Sequence, residues 1–182
     1  MSKEEKIINL ALRLLRQEPT ELNKEIVKDF YVPAVKKVLK DQDFDFCKKY
    51  TQLVLTGNIP LNPKYLYEYE YPIDCVKVRR IFFNSEKNEP FEIAINKSGQ
   101  KVINANEAPV IAQYTTDSNY KTECDGSFIS LCAYCLAALS AYAITRNLLF
   151  TQECTEMYEQ LLFTVGEKLC WTKNKSNKRE KK

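Results

Sequence analysis

Residues 65–78 run Tyr65-Leu-Tyr67-Glu-Tyr69-Glu-Tyr71-Pro-Ile-Asp74-Cys-Val76-Lys-Val78, and their period decides the fold. Tyrosine recurs at every second position, with Leu66, Glu68 and Glu70 between. Side chains alternate across an extended chain, so this pattern predicts a strand with one aromatic face. Pro72 has no N–H to give to a ladder and interrupts it. Beyond it Val76 and Val78 alternate with Lys77 and Arg79, and Phe91, Ile93 and Ile95 repeat the pattern. Asn96-Lys-Ser-Gly99 supplies a hairpin loop into 101–104, and Val110, Ala112 and Tyr114 close the extended region.

On both sides of this region the apolar period lengthens to that of a helix. Ser2 and Glu5 form a capping-box pattern ahead of Ile7, Ile8, Ala11, Leu12, Leu14 and Leu15, predicting a helix that ends near Glu18-Pro19. A second starts around Thr20 with Ile26, Val27, Phe30, Tyr31, Ala34 and Val38 on one face, kinked or broken at Pro33. Asp41 or Asp43 then caps a further helical stretch holding Phe44, Cys47, Tyr50 and Val54, stopping at Gly57. After the strands, Phe128, Leu131, Cys135, Leu139 and Tyr142 mark a stripe from Ser127 onward. Thr151 caps a last helix carrying Leu161, Leu162, Val165 and Leu169. The fold class expected is α+β, a helical bundle formed by both chain ends with an inserted small antiparallel β-sheet. The chain reads as a single domain over 1–172, helical over 1–57 and 125–171 with a β insertion at about 62–116, followed by a basic tail over 173–182.

Composition excludes several function classes. Hydrophobic residues make up 45% and charged residues 28% of 182, ordinary globular values. Of 27 basic and 24 acidic residues, six basic and one acidic lie in 173–182, which leaves 21 against 23 and a body charge of −2. A near-neutral body does not read as a nucleic-acid-binding domain. Seven cysteines, an odd number at irregular spacing and with no secretory signal, point to free thiols in a reducing compartment. Phe128–Ile144 carries no charge and approaches membrane-spanning length, but it is rich in Ala and Ser and meets Arg146 at once. The reading taken is a buried helix.

Catalysis is hard to build from these residues. Histidine is absent, which removes Ser-His and Cys-His nucleophile pairs and any imidazole base. Glu68 and Glu70 share a strand face, read as ordinary solvent-side alternation. Cys132-Ala-Tyr-Cys135 lacks the further ligands that zinc needs and lies inside a predicted helix, so it reads as core thiols. No phosphate-cradling glycine motif occurs among four glycines. The tyrosine stripe has acidic neighbours, which favours packing on the bundle or a neighbouring subunit over base stacking. No catalytic residue, metal ligand or cofactor is therefore expected.

Taken in order, these segments resemble the tail tubular protein A family, the adaptor rings of short-tailed phages. The family opens with a helix of the type I-x-N-A-L, and this chain has Ile7-Ile8-Asn9-Leu10-Ala11-Leu12, a shifted version. Phe30-Tyr31, Lys36-Lys-Val-Leu39 and Phe44-Asp-Phe46-Cys47 stand where the family has an aromatic-rich helix, R-x-x-x-L and W-x-F-A, with the Trp and Ala replaced. The strongest match is to Y-x-Y-x-L-P-x-D-C-L-x-V, here Tyr67-Glu-Tyr69-Glu-Tyr71-Pro72-Ile73-Asp74-Cys75-Val76-Lys77-Val78. The likeness covers about residues 5–150.

That resemblance implies a structural virion protein, a non-enzymatic subunit of a head-to-tail connector ring of twelve copies. It would assemble in the bacterial host cytoplasm and sit at the head–tail junction of the phage. Its partners would be the portal protein, the tail tube or nozzle proteins, further copies of itself, and genomic DNA passing through without sequence readout; no membrane is involved. Tyr67, Tyr69, Tyr71, Pro72, Asp74 and Cys75 would serve the fold, and Trp171, Lys173, Lys175, Lys178 and Arg179 would reach the portal. Two other classes remain open at this point: a small cytosolic nucleic-acid-binding or interaction module with a basic tail, and a histidine-free hydrolase using Asp or Glu.

Overall fold

The computed structural model describes residues 2–83, 87–118, 120 and 124–179, with the backbone alone for 87 and 168–179. The chain is α+β: helices from both chain ends frame an inserted antiparallel β region. It divides into two compact units, Met1–Gln42 with Lys121–Lys182, and Asp43–Tyr120.

In the helical unit, α1 (Lys3–Leu14) begins with the expected capping box: Ser2 Oγ accepts from the Glu5 N–H at 3.1 Å, and Glu5 Oε2 from the Ser2 N–H at 2.7 Å. It stops at Leu14, short of Glu18-Pro19, because Arg16 turns to φ 57°. The N–H groups of Arg16 and Gln17 then donate back to the carbonyls of Arg13 and Leu12, a Schellman closure. α2 (Glu21–Lys28) starts where expected, capped by Thr20. The break comes ahead of Pro33, since α3 (Tyr31–Asp41) places that proline in its first turn, where a missing N–H leaves no intrahelical bond unmade.

α4 (Gly126–Thr145) is capped by Asp125 Oδ1, which accepts from the Phe128 N–H at 2.7 Å. All four other helices pack against it, and a helix with neighbours on several sides keeps little polar face. By length and composition α4 could cross a membrane, but half of its apolar window is buried inside the protein. Phe128, Leu131, Cys132, Cys135 and Leu136 are all buried there. α5 (Leu148–Arg179) starts before the expected cap at Thr151. Arg146 ends α4 at φ 54°, and Asn147 Oδ1 accepts from the Phe150 N–H at 3.2 Å. The backbone expected to become a tail at 173 continues this helix to Arg179. The side chains of Trp171, Lys173, Lys175, Lys178 and Arg179, and all of 180–182, lie outside the described residues.

In the β unit the helix expected over 43–57 does not form. A single 3-10 turn, Asp45–Cys47, is followed by β1 (Lys48–Gln52), which pairs antiparallel with β7 (Ile111–Thr116). Phe44 and Cys47 are buried at helical spacing, but Tyr50 and Val54, which would extend that stripe, are 59% and 60% exposed. Ladder bonds to β7 override the local pattern, so strands begin at 48 rather than about 62. The other strands are β2 (Tyr67–Glu70), β3 (Cys75–Phe83), β4 (Lys87–Asn88), β5 (Phe91–Ile95) and β6 (Lys101–Ala105). They form two sheets, ordered β1-β7-β3-β4 and β2-β6-β5. Both contribute to one core that includes Tyr69, Val78, Ile81, Ile103, Ala112 and Tyr114. Of the tyrosine stripe, Tyr69 is fully buried in this core and Tyr71 packs against it, while Tyr67 is 37% exposed.

Candidate functional site

Tyr67–Val78 is the segment singled out by its pattern, and it carries the chain from one sheet to the other. β2 ends at Glu70, and Pro72 cannot donate to a continuing ladder. A turn follows, closed by the Cys75 N–H donating to the Pro72 carbonyl at 3.0 Å, with Ile73 fully exposed at its tip. β3 then starts at Cys75 in the four-stranded sheet.

Asp74, in that turn, ties the crossing to the sheet it enters. Its Oδ1 accepts from the Tyr114 hydroxyl at 2.8 Å, and its Oδ2 from Lys49 Nζ at 2.8 Å and Thr116 Oγ1 at 3.1 Å. One carboxylate thus joins the start of β3 to β7 and β1. Burial alone would raise the Asp74 pKa, but the hydrogen bonds from Lys49, Tyr114 and Thr116 outweigh it and hold the carboxyl below its ordinary value. Hydrogen bonding to Asp74 raises the pKa of Lys49 in turn.

The neighbouring aromatic groups are equally committed. The Tyr69 hydroxyl donates to the Glu107 carbonyl at 2.6 Å, and burial pushes its pKa up to about 12. The Cys75 thiol donates to the Tyr71 hydroxyl at 3.3 Å, and burial raises its pKa, which keeps it protonated and a poor nucleophile. Lys101 Nζ stands 3.9 Å from the Tyr71 ring centroid, a cation–π contact on the same side chain.

Glu68 corrects an expectation. Alternation leaves Glu70 in solvent, but Glu68 is 2% exposed. Its Oε1 accepts from Thr56 Oγ1 at 2.8 Å, Asn58 Nδ2 at 3.1 Å and Asn96 Nδ2 at 3.3 Å. Burial raises its pKa, and these donors lower it further than burial raises it. Across the sheet Glu68 stands opposite Asn104, which stands opposite Glu92. Glu92 accepts from Asn62 Nδ2 at 3.1 Å and from Asn104 Nδ2 at 3.3 Å. Buried charge here is matched by protein donors, the arrangement of a structural polar layer. Residues 92–104 do carry the signal, since Glu92, Asn96 and Asn104 fall on alternate positions. The donors Thr56, Asn58 and Asn62 lie on an irregular connection and carry none.

Cys132 and Cys135 are both buried in α4, and burial pushes the Cys135 thiol up to about 11. Among the described residues no three His, Cys, Asp or Glu side chains are grouped to hold a metal ion. What these side chains do chemically is hold strands together. No model of a known protein family matches the chain, and no curated protein matches it.

Proposed function

We propose that this protein is a structural subunit of the connector ring between the DNA portal and the tail of a phage particle, and that it catalyses no reaction. The observation that carries this reading is the use made of Tyr67–Val78, the most specific part of the resemblance. The groups that tie that segment together are architectural: a Pro72 turn between sheets, an Asp74 carboxylate bonded to β1 and β7 at the start of β3, and a protonated Cys75. The order of helices, strands and helices agrees with the same family.

In such a ring the work is interfacial. Identical neighbours meet through heterologous contacts that close on rotation, and DNA leaves through a channel that needs no base readout. At 1.5 Å per residue the 20 residues of α4 span about 30 Å and the 32 of α5 about 48 Å, so α5 is longer than the helix it follows by about 18 Å. An arm of that length, continuing into a basic end, suits a contact with the portal.

Electron microscopy of the purified protein mixed with the portal protein of the same phage tests the reading, with stacked rings sharing one channel expected. A lone protomer by light scattering, even with portal present, would sink it in favour of a small nucleic-acid-binding module. Removing residues 173–182 is expected to weaken portal binding while leaving the thermal transition nearly unchanged. Undiminished binding would refute the role given to that end.

A further inference from the structure

The strand edges of the β unit are treated unequally. The outer edge of β2 is covered: the Thr56 N–H donates to the Glu68 carbonyl at 3.0 Å, and the Glu70 N–H to the Val54 carbonyl at 2.9 Å. β1 begins with Lys48 and Lys49, and β4 is two residues long. Short edges and edge lysines are the usual devices against strand pairing. β5 has neither. Its five residues, Phe91-Glu-Ile93-Ala-Ile95, contain no Lys, Pro or Gly, and they pair with β6 without a register shift.

The phase of that pairing shows which backbone groups face outward. Asn96 N–H donates to the Gln100 carbonyl at 2.9 Å, and antiparallel bonding alternates along the strand. Glu92 and Ala94 therefore turn their groups toward Asn104 and Val102, while Phe91, Ile93 and Ile95 turn theirs away. The same alternation carried across β6 turns Glu68 and Glu70 away from it, where the bonds from 54 and 56 find them. Among the described residues no backbone bond reaches the outward groups of β5. Ile93 and Ile95 are 41% and 59% exposed beside them.

We infer that β5 is an assembly edge, occupied by β5 of a second copy running antiparallel about Ile93. The register selects this occupant. Centred on Ile93, Phe91 faces Ile95 of the second copy, Ile93 faces its own equivalent, and Glu92 faces Ala94. Phe91, Ile93 and Ile95 meet one another and no like charges stand directly opposite, the arrangement that stabilises cross-strand pairs. Against β1 of a second copy, Lys48 and Lys49 would instead meet apolar side chains. The contact is twofold and so cannot itself close a ring; it joins two subunits or two rings, and it stands independently of the connector reading.

Light scattering on the full chain and on Ile93→Lys, with circular dichroism to confirm the fold, tests it. The substitution is expected to halve the mass of the wild-type association state. Hydrogen exchange needs no variant: the Ile93 and Ile95 amides are expected to lose protection on dilution over about two orders of magnitude in concentration. A wild-type protein at protomer mass throughout, a variant that keeps the wild-type mass, or protection that ignores dilution would each overturn the inference.

Discussion

Asp74 shows how one side chain makes a crossing rigid and also records the pH. Its folded pKa lies below the ordinary carboxylate value of about 3.9, so its contribution is present above that pH and is lost as pH falls through the folded pKa. Asp74→Asn keeps an acceptor for the Tyr114 hydroxyl but leaves the exposed Lys49 without its carboxylate, and is expected to lower stability modestly at neutral pH. Urea unfolding followed toward acid should show a shallower loss of stability in the variant than in the wild type; parallel curves would refute the linkage. Glu68 makes a different prediction, because a single oxygen accepts all three donors. Glu68→Gln keeps an acceptor there but loses the charge these donors favour, and should cost less than Glu68→Ala, which strands Thr56, Asn58 and Asn96 at about 1–3 kcal/mol. Denaturant midpoints of the two variants distinguish these outcomes. The place of Asp74 was legible in its own segment, but its partners were not. Lys49, Tyr114 and Thr116 lie 25 to 42 residues away, and nothing local announces a long-range pairing.

Among the elements, α5 holds a glycine whose neighbour sets its effect. A Cβ at Gly166 would stand 2.9 Å from Gln42 Nε2, and that nitrogen donates to the Leu162 carbonyl at 3.0 Å. Gly166→Ala gains about 0.5–1 kcal/mol of helix propensity but displaces a hydrogen bond worth about 0.5–1.5 kcal/mol, so its net effect should be near zero. In a Gln42→Ala background the obstacle is gone and the full gain of about 0.5–1 kcal/mol should appear. Thermal unfolding of the four proteins measures the difference; an equal effect in both backgrounds would show that Gln42 is not the cause. Helices with strong caps and periods were legible in the sequence, as with the Ser2 box and the uncharged stripe of α4. Where neighbours decided, they were not. Phe44 and Cys47 promised a helix that β7 turned into a strand, and Arg146 moved the start of α5 by adopting a left-handed turn that favours Gly, not Arg.

For the whole molecule the distribution of charge matters more than its sum. All the net positive charge of this +3 chain resides in residues 173–182, which carry six basic residues against one acid, while the rest is close to neutral. A contact made by such an end is ionic and must fade with salt, since the screening length falls from about 10 Å at 0.1 M to about 3 Å at 1 M. If that end reaches an acidic surface of the portal, raising salt and deleting 173–182 remove the same interaction and their effects should not add. Co-sedimentation with the portal is therefore expected to weaken with salt for the full chain and to change little for the truncated one. Binding by the β unit or by the apolar flank of α5, where Leu148, Leu149 and Phe163 are exposed, would behave in the opposite way, holding or strengthening as salt rises. The salt response of the two proteins side by side thus tells which part of the molecule meets its partner, even where truncation alone shows only that binding has changed.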